Sequence, residues 1–221
     1  MSGKRLTLVH TSAVMIPVFG ELCAELLPEV EVVHMVDESL LKDIIRDKCL
    51  GRPTARRAVG HITSAAQAGT DFIVVTCSSI GAAAELGREL VDVPVMRVDE
   101  PMADLAVREG SQIGVVATLP STLKPTAELI KVQAKKQAKE VTVITKLCEG
   151  AFDAVISGDN ATHDRIVGAG IRELMQQVEV IVLAQASMAR VVDNPPVDGR
   201  RIPILSSPRL AVERLATLLQ E

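Results

Sequence analysis

The sequence is short of aromatic residues: its 221 residues include three Phe and no Tyr or Trp. Proteins that bind single-stranded nucleic acids stack the bases on aromatic rings, so that class of partner finds almost nothing to bind here. There is also no excess of Pro or Gly, and 48% of the residues are hydrophobic while 24% are charged. This composition is ordinary for a folded domain and excludes a disordered or collagen-like chain.

The sequence has no excess of basic residues either, since its formal net charge is -4. A surface that binds duplex DNA or RNA concentrates positive charge on one face, so we expect no nucleic-acid partner. No apolar run reaches the roughly 18 residues of a membrane helix, and the first residues lack the apolar segment of a secretory signal. We therefore expect a cytoplasmic protein that does not associate with membranes.

Several motifs of common active sites are missing. The four cysteines form no C-x-x-C pair, and no His pair has metal-ligand spacing with a carboxylate, so the sequence predicts neither disulfides nor a metal site. The sequence has no Gly-rich phosphate loop, which disfavours nucleotide binding. It also has no G-x-S-x-G elbow, which leaves serine hydrolase chemistry unsupported.

Short apolar runs alternate with longer segments of helical period, which is typical of a parallel sheet covered by helices. The predicted strands are 6–10, 30–36, 72–76, 95–98, 113–117, 141–147, 180–184 and 202–205. The predicted helices are 13–27, 53–68, 79–91, 101–108, 121–139, 160–177 and 208–219. A surface turn is predicted at 193–199, where Asn, Pro and Gly cluster.

The order of these elements repeats once along the chain. Segments 8–12, 59–60 and 73–79 resemble 115–119, 167–168 and 181–187, at offsets such as 118 - 11 = 107 and 185 - 77 = 108. This period is far longer than the 20 to 50 residues of solenoid repeats. We therefore predict an α/β fold of two pseudo-symmetric lobes, each a mainly parallel sheet flanked by helices. The first lobe is 1–97 with 206–221, and the second is 98–205.

Ligands of parallel α/β sheets bind outside the carboxyl ends of the strands, so residues at those ends are the candidates for a site. In the first lobe they are His10, Thr11, Ser12, Thr76, Cys77, Ser78 and Ser79. In the second lobe they are Ala117, Thr118, Gln185, Ala186 and Ser187. Hydroxyl groups and backbone N–H groups at helix starts suit a carboxylate or a similar anion.

Cys77 stands out among the thiols because it ends a buried strand and precedes two serines and an Ala-rich helix. The helix dipole there is expected to lower the thiol pKa from about 8.5, which would suit proton transfer or nucleophilic attack. The alternative is that Cys77 is a small buried hydrophobe. Cys23 and Cys49 are expected to fill the core, whereas Cys148 follows a strand and could reach the site.

The histidines fall into two groups. His10 closes the first strand, where it could orient a substrate or hold a proton, or simply be a hydrogen-bonded loop residue. His34 within a strand, His61 within a helix and His163 near a helix start are interpreted as structural or solvated.

These features resemble the aspartate/glutamate/hydantoin racemase superfamily over nearly the whole chain. The resemblance lies in Val-Thr-Cys-Ser-Ser at 75–79, Ile-Gly-Val-Val-Ala-Thr at 113–118 and Ile-Val-Leu-Ala-Gln-Ala-Ser-Met-Ala at 181–189. It implies two pseudo-symmetric lobes with the active site in the cleft between them, and proton transfer without a cofactor at a carbon next to a carbonyl or carboxylate. Each lobe of such enzymes supplies one cysteine.

The sequence departs from this family pattern at Gln185, which stands where the second cysteine is expected. A glutamine amide forms hydrogen bonds but is no general acid or base near neutral pH. With Cys77 alone, the reaction could be an isomerisation, a decarboxylation or other lyase reaction, or a covalent attack on an alkene carbon. A relative that binds a small acid without catalysis is the remaining alternative.

In the catalytic alternatives, Cys77 is the acid/base or nucleophile, and Gln185 is a hydrogen-bond donor or a steric wall. The residues expected to hold the substrate are His10, Thr11, Ser12, Thr76, Ser78, Ser79, Thr118, Ala186 and Ser187. The expected partners are a small amino acid, hydantoin or dicarboxylate and further copies of the chain in a homo-oligomer.

Overall fold

The computed structural model describes residues 3–193 and 202–219. The surface turn predicted at 193–199 lies outside this part of the chain from residue 194 onward. The chain divides into two compact units: residues up to Val98 with those from Pro208 onward, and Asp99–Ser207. Among the described residues, no helix has the length and apolar character needed to cross a membrane.

The first unit contains a four-stranded parallel sheet with the order β2-β1-β3-β4. Its elements are β1 (Arg5–His10), α1 (Met15–Leu26), β2 (Glu31–Val36), α2 (Glu38–Asp47), α3 (Arg52–Gln67), β3 (Phe72–Val75), a 3₁₀ turn (Ser78–Ile80), α4 (Gly81–Arg88) and β4 (Val95–Arg97). All four residues of β3 are buried, as expected for a central strand covered on both faces.

The second unit repeats this topology, with the parallel strand order β6-β5-β7-β8. Its elements are α5 (Glu100–Glu109), β5 (Gln112–Ala117), α6 (Pro120–Lys136), β6 (Thr142–Leu147), α7 (Ala151–Ile156), α8 (Asn160–Met175), β7 (Val180–Leu183), a 3₁₀ turn (Ala186–Met188), α9 (Arg190–Asp193) and β8 (Ile204–Ser206). The chain then continues into α10 (Ser207–Leu218). The predicted pair of parallel α/β lobes is confirmed.

Strand alternation gives the first unit two cores, one on each face of its sheet. Leu8 and Val74 face α1 and α10, where they pack with Phe19 and Leu215. The opposite face packs against α2, α3 and α4, and it contains Val9, Ile73, Ile44, Ile62 and Ala83. The last helix therefore belongs to the core of the first unit.

The second unit also has a core that combines strand and helix residues. Val116, Ile181 and Leu183 pack with Val167 and Ile171 of α8. The helices α5 and α6 pack against the strands β7 and β5. Both units are thus sheets covered by helices, and both present the carboxyl ends of their strands at one edge.

All eight predicted strands are present, with ends shifted by at most two residues. The helices α2, α7 and α9 are absent from the predicted set, because α2 carries many charges and because α7 and α9 have only six and four residues. A local signal for α2 does exist, since the Asp37 side chain caps it by accepting a hydrogen bond from Ser39 N at 3.0 Å.

Candidate functional site

Cys77 lies between the end of β3 and the 3₁₀ turn that starts with Ser78. The hydroxyl groups of Thr11 and Ser79 and the backbone N–H groups of Ser79 and Ile80 lie close enough to its sulfur to lower the pKa of the thiol. The N–H of Ile80 also donates to the Cys77 carbonyl oxygen at 3.2 Å. The Cys77 side chain is partly exposed, whereas Ser78 and Ser79 are buried. The structure therefore brings together Thr11, Cys77 and Ser79 as the sequence predicts.

The expectation that this turn lowers the thiol pKa is wrong. Burial raises the pKa of Cys77 above its ordinary value, and the hydrogen bonds from Thr11, Ser79 and Ile80 offset only part of this shift. The thiol is consequently protonated at neutral pH. The same hydrogen bonds would stabilise a thiolate once the proton has left, because they are donated to the sulfur.

His10 has a structural position rather than one open to a ligand. Its side chain is fully buried, with Nε2 2.9 Å from His34 Nδ1 and Nδ1 2.8 Å from Thr76 Oγ1. Thr76 Oγ1 also lies 3.1 Å from the carbonyl oxygen of Val9. Because every polar side-chain atom of His10 and Thr76 already has a protein partner, their expected roles in substrate binding are not supported by the geometry.

Ser12 lies next to this turn, between β1 and α1. It is half-buried, and its carbonyl oxygen accepts a hydrogen bond from Met15 N at 3.2 Å. Its hydroxyl group thus remains a candidate for contact with a ligand at the same sheet edge as Thr11.

The second unit has an equivalent turn at Gln185. Cys77 and Gln185 have similar backbone angles, with φ and ψ of -125° and 116° at Cys77 and -129° and 137° at Gln185. Each precedes a three-residue 3₁₀ turn that ends in a buried apolar residue, Ile80 or Met188.

At this second turn, Gln185 is bound to Thr118, the residue that follows β5. The backbone N–H of Thr118 donates to Gln185 Oε1 at 2.7 Å, and Gln185 Nε2 donates to Thr118 Oγ1 at 2.6 Å. Ala186 and Ser187 follow in the 3₁₀ turn and are half-buried. Thr118 thus has the same place beside Gln185 that Thr11 has beside Cys77, directly after the first strand of its unit.

The other thiols are not part of these turns. Cys23 and Cys148 are buried in the cores of their units, where burial raises the pKa of each thiol to about 11. Cys148 lies at the sheet edge, where its backbone N–H donates to the carbonyl oxygen of Ala117 at 2.7 Å, but its side chain packs in the core with Val167 and Ile171. Cys49, which was expected in the core, is exposed, because it lies after the end of α2.

Two charged groups at the edge of the first sheet are not predicted from the sequence. Asp37 follows β2, and its carboxylate pairs with Arg57 at 2.8 Å and with His61 at 2.9 Å. Burial alone would raise the pKa of Asp37, but hydrogen bonds from Ser39, His61 and Arg57 hold it well below its usual range. The position of Asp37 directly after a predicted strand was the available signal.

Arg97, the last residue of β4, is the second of these groups and is almost fully buried. A Cβ atom on Gly81 would lie 2.4 Å from its Cζ, so a glycine at the start of α4 makes room for the guanidinium. Within 3–193 and 202–219, no three His, Cys, Asp or Glu side chains are grouped so as to hold a metal ion.

Comparison with known proteins agrees with this architecture. Residues 8–215 match the family model described as Asp/Glu/Hydantoin racemase. The chain belongs to this family. A comparison with curated protein sequences gave no match.

Solved structures of this family share the fold at low sequence identity. An allantoin racemase from Klebsiella pneumoniae is 17% identical, with a TM-score of 0.71 over 98% of this chain and 88% of its own. A putative Asp/Glu racemase from Yersinia pestis is 13% identical, with a TM-score of 0.74 over 99% of this chain and 100% of its own. A glutamate racemase from Francisella tularensis in complex with D-glutamate is 15% identical, with a TM-score of 0.74 over 100% of this chain and 82% of its own. At these identities, the likeness supports the fold alone.

Proposed function

We propose that this member of the family transfers a proton, without a cofactor, at a carbon next to a carboxylate or carbonyl group of a small substrate. Cys77 is the acid or base in this proposal. The observation that carries it is the position of Cys77 directly before a 3₁₀ turn at the end of β3, where Thr11, Ser79 and Ile80 lower the pKa of its thiol against the effect of burial. These donors favour a thiolate while burial favours a thiol, so both forms of the group have support.

The substrate's oxygen atoms are proposed to bind to donors around the same turns. In the first unit these are the hydroxyl groups of Ser12 and Ser78, because those of Thr11 and Ser79 act on the Cys77 thiol. In the second unit they are the Thr118 hydroxyl and the turn formed by Ala186 and Ser187, whereas the Gln185 amide is bonded to Thr118. Donors of this kind stabilise the negative charge that develops on an enolate oxygen when the neighbouring carbon loses its proton. Amino acids, hydantoins and dicarboxylates are the substrate classes that fit this chemistry.

A second candidate is a lyase reaction with protonation from one side, and the Gln185 amide favours it. Decarboxylation breaks a carbon–carbon bond, releases carbon dioxide and leaves the electron pair in an enolate. The protonated Cys77 thiol then gives its proton to the carbon, and water reprotonates the thiolate. Such a reaction needs one acid, whereas racemisation needs an acid or base on each side of the stereocentre.

The test is proton exchange in deuterium oxide, with a panel of enantiopure aspartate, glutamate, 5-substituted hydantoins and substituted malonates. We expect deuterium at the carbon next to the carbonyl with wild-type protein and with Cys49→Ala, and none with Cys77→Ala. Label in both enantiomers indicates a racemase, whereas label in one enantiomer with loss of carbon dioxide indicates a lyase. A covalent adduct on Cys77 seen by mass spectrometry would instead indicate a nucleophile.

If the panel binds but no substrate exchanges, the protein is a binding protein and the proposal is wrong. Equal exchange by Cys77→Ala and wild type would also contradict it. The cytoplasmic location and the homo-oligomer stay predictions from the sequence, and light scattering of the purified protein tests the second.

A further inference from the structure

The two hydrogen bonds between Gln185 and Thr118 fix the orientation of the glutamine amide. A backbone N–H can only donate, so the amide atom that faces Thr118 N must be the oxygen, Oε1, at 2.7 Å. The other amide atom is then Nε2, which lies 2.6 Å from Thr118 Oγ1. Because an amide nitrogen only donates, the Thr118 hydroxyl oxygen is the acceptor in this second bond.

This arrangement determines what the Thr118 hydroxyl proton can do. The hydroxyl oxygen accepts from Gln185, so its own proton must point elsewhere. Among the hydrogen bonds of residues 3–193 and 202–219, no acceptor takes that proton. Thr118 is nearly buried while Gln185 is partly exposed. The Thr118 hydroxyl is therefore an oriented donor without a protein acceptor in the described chain.

In the equivalent pair of the first unit, Thr11 and Cys77, the donor and acceptor roles are exchanged. There the Thr11 hydroxyl faces the Cys77 thiol as a donor and lowers its pKa. At the second turn the proton of the equivalent threonine remains available. The two turns share a backbone conformation. They differ in the donor side chain, which is the threonine at the first turn and the glutamine at the second.

We infer that Gln185 is a positioning residue, which holds Thr118 as a hydrogen-bond donor to a carboxylate or carbonyl oxygen of the ligand. Gln185 acts through Thr118 and transfers no proton itself. This inference rests on the proposed function in one respect, the ligand class, which is a small molecule with a carboxylate or carbonyl oxygen. Its test, however, measures binding alone.

The experiment is titration calorimetry of the full chain with two probes, succinate for a carboxylate and hydantoin for an uncharged carbonyl. For the probe that binds wild type more tightly, we expect Gln185→Met to raise Kd about tenfold, the effect of losing one oriented hydrogen bond to a polar group. Gln137→Met is the matched control, because Gln137 Nε2 donates to Asp104 in the same unit, away from the carboxyl ends of the strands. We expect it to leave Kd unchanged.

A double-mutant cycle separates positioning from direct contact. If Gln185 acts through Thr118, Thr118→Val raises Kd by about the same factor as Gln185→Met, and the double variant raises it no further. Thr118→Ser keeps the hydroxyl and should bind like wild type. Fully additive effects of the two substitutions would show that Gln185 contacts the ligand independently, and would overturn the inference.

Gln185→Glu provides a second test that does not depend on removing the side chain. The introduced carboxylate cannot donate to Thr118 Oγ1, and it accepts the Thr118 proton instead, so binding at pH 7 should weaken more than tenfold. Once protonated at lower pH the new carboxyl group can donate again, so Kd relative to wild type should recover. Absence of this recovery, or failure of both probes to bind wild type, overturns the inference. Binding that depends on Gln185 without deuterium exchange supports it and contradicts only the proposed reaction.

Discussion

The imidazole rings of His10 and His34 stack with centroids 5.2 Å apart, and 2.9 Å separates His10 Nε2 from His34 Nδ1. Burial, and secondly the charge of His34, lowers the pKa of His10 from 6.5 to about 4. Burial also lowers the pKa of His34. Two neighbouring imidazoles inside the first unit are thus kept neutral, which has a direct consequence for stability in acid.

The first prediction is a loss of stability between pH 6.5 and 4. Above pH 6.5, His10 is neutral in both states; below it, the unfolded chain binds a proton that the folded protein excludes until about pH 4. The free energy of unfolding should therefore fall by about 3 kcal/mol across this range on account of His10. Urea unfolding of wild type and of His10→Gln at several pH values measures this fall in the free energy of unfolding. The difference between wild type and His10→Gln should change with pH, and a constant difference would contradict the prediction.

The second prediction concerns the reactivity of Cys77. In a Cys49→Ser background, Cys77 is the one thiol among the described residues that is only partly buried. The rate of alkylation by iodoacetamide should rise with pH, with a midpoint above the ordinary thiol pKa, because burial disfavours the thiolate. Thr11→Val should move the midpoint higher by removing a hydrogen bond to the sulfur, whereas Thr11→Ser should not. A midpoint near pH 7 would show that the thiol is activated in the free protein.

The third prediction concerns the core position of Cys148. A Cβ atom on Gly170 would lie 2.6 Å from Cys148 Sγ, so Gly170→Ala forces a buried sulfur to move. We expect a net loss of stability on the order of 1 kcal/mol, since the cost of overpacking exceeds the gain in helix propensity. Gly60→Ala is the control, because a Cβ there meets nothing within 4 Å, and it should stabilise by about 1 kcal/mol.

Thermal and urea unfolding measure the stability of both alanine variants. Cys148→Ala in the Gly170→Ala background removes the clashing sulfur, so it should cost less than Cys148→Ala alone. Equal stabilisation by Gly170→Ala and Gly60→Ala would show that the sulfur is not packed against α8.

The fourth prediction concerns Asp37, which caps α2 and pairs with Arg57 and His61. Asp37→Ala should destabilise the protein by about 1 to 2 kcal/mol, because it removes the cap as well as the charge. Asp37→Asn keeps a capping oxygen, so it should cost less. Denaturant unfolding of the three proteins compares them, and equal losses for both variants would assign the effect to the charge alone.

The sequence predicted the eight strands because buried parallel strands are short apolar runs, a property of neighbouring residues. It also predicted the duplication and the turn at Cys77. It could not predict that His10 is buried against His34, because that contact depends on how β1 and β2 pair. The register places Leu8 opposite His34, which brings the two rings together diagonally.

The same limit explains the thiol pKa and the pairing of Gln185. The helix-dipole argument used only residues next to Cys77, whereas the shift is dominated by burial, which the whole fold produces. The residue type of Gln185 excluded it as an acid or base, but its partner Thr118 is 67 residues away in the chain. Contacts of this kind follow from topology and not from local pattern.

The position of α10 sets an order for folding during synthesis. Its buried residues Ala211, Val212 and Leu215 complete a core that begins at Leu6. The first unit is therefore interrupted by a continuous second unit, Asp99–Ser207. As the chain leaves the ribosome, the second unit has all its residues before the first one does. Until α10 is made, α1 alone covers the face of the amino-terminal sheet that contains Leu8 and Val74. That partly covered face is where a truncated chain should aggregate or recruit chaperones.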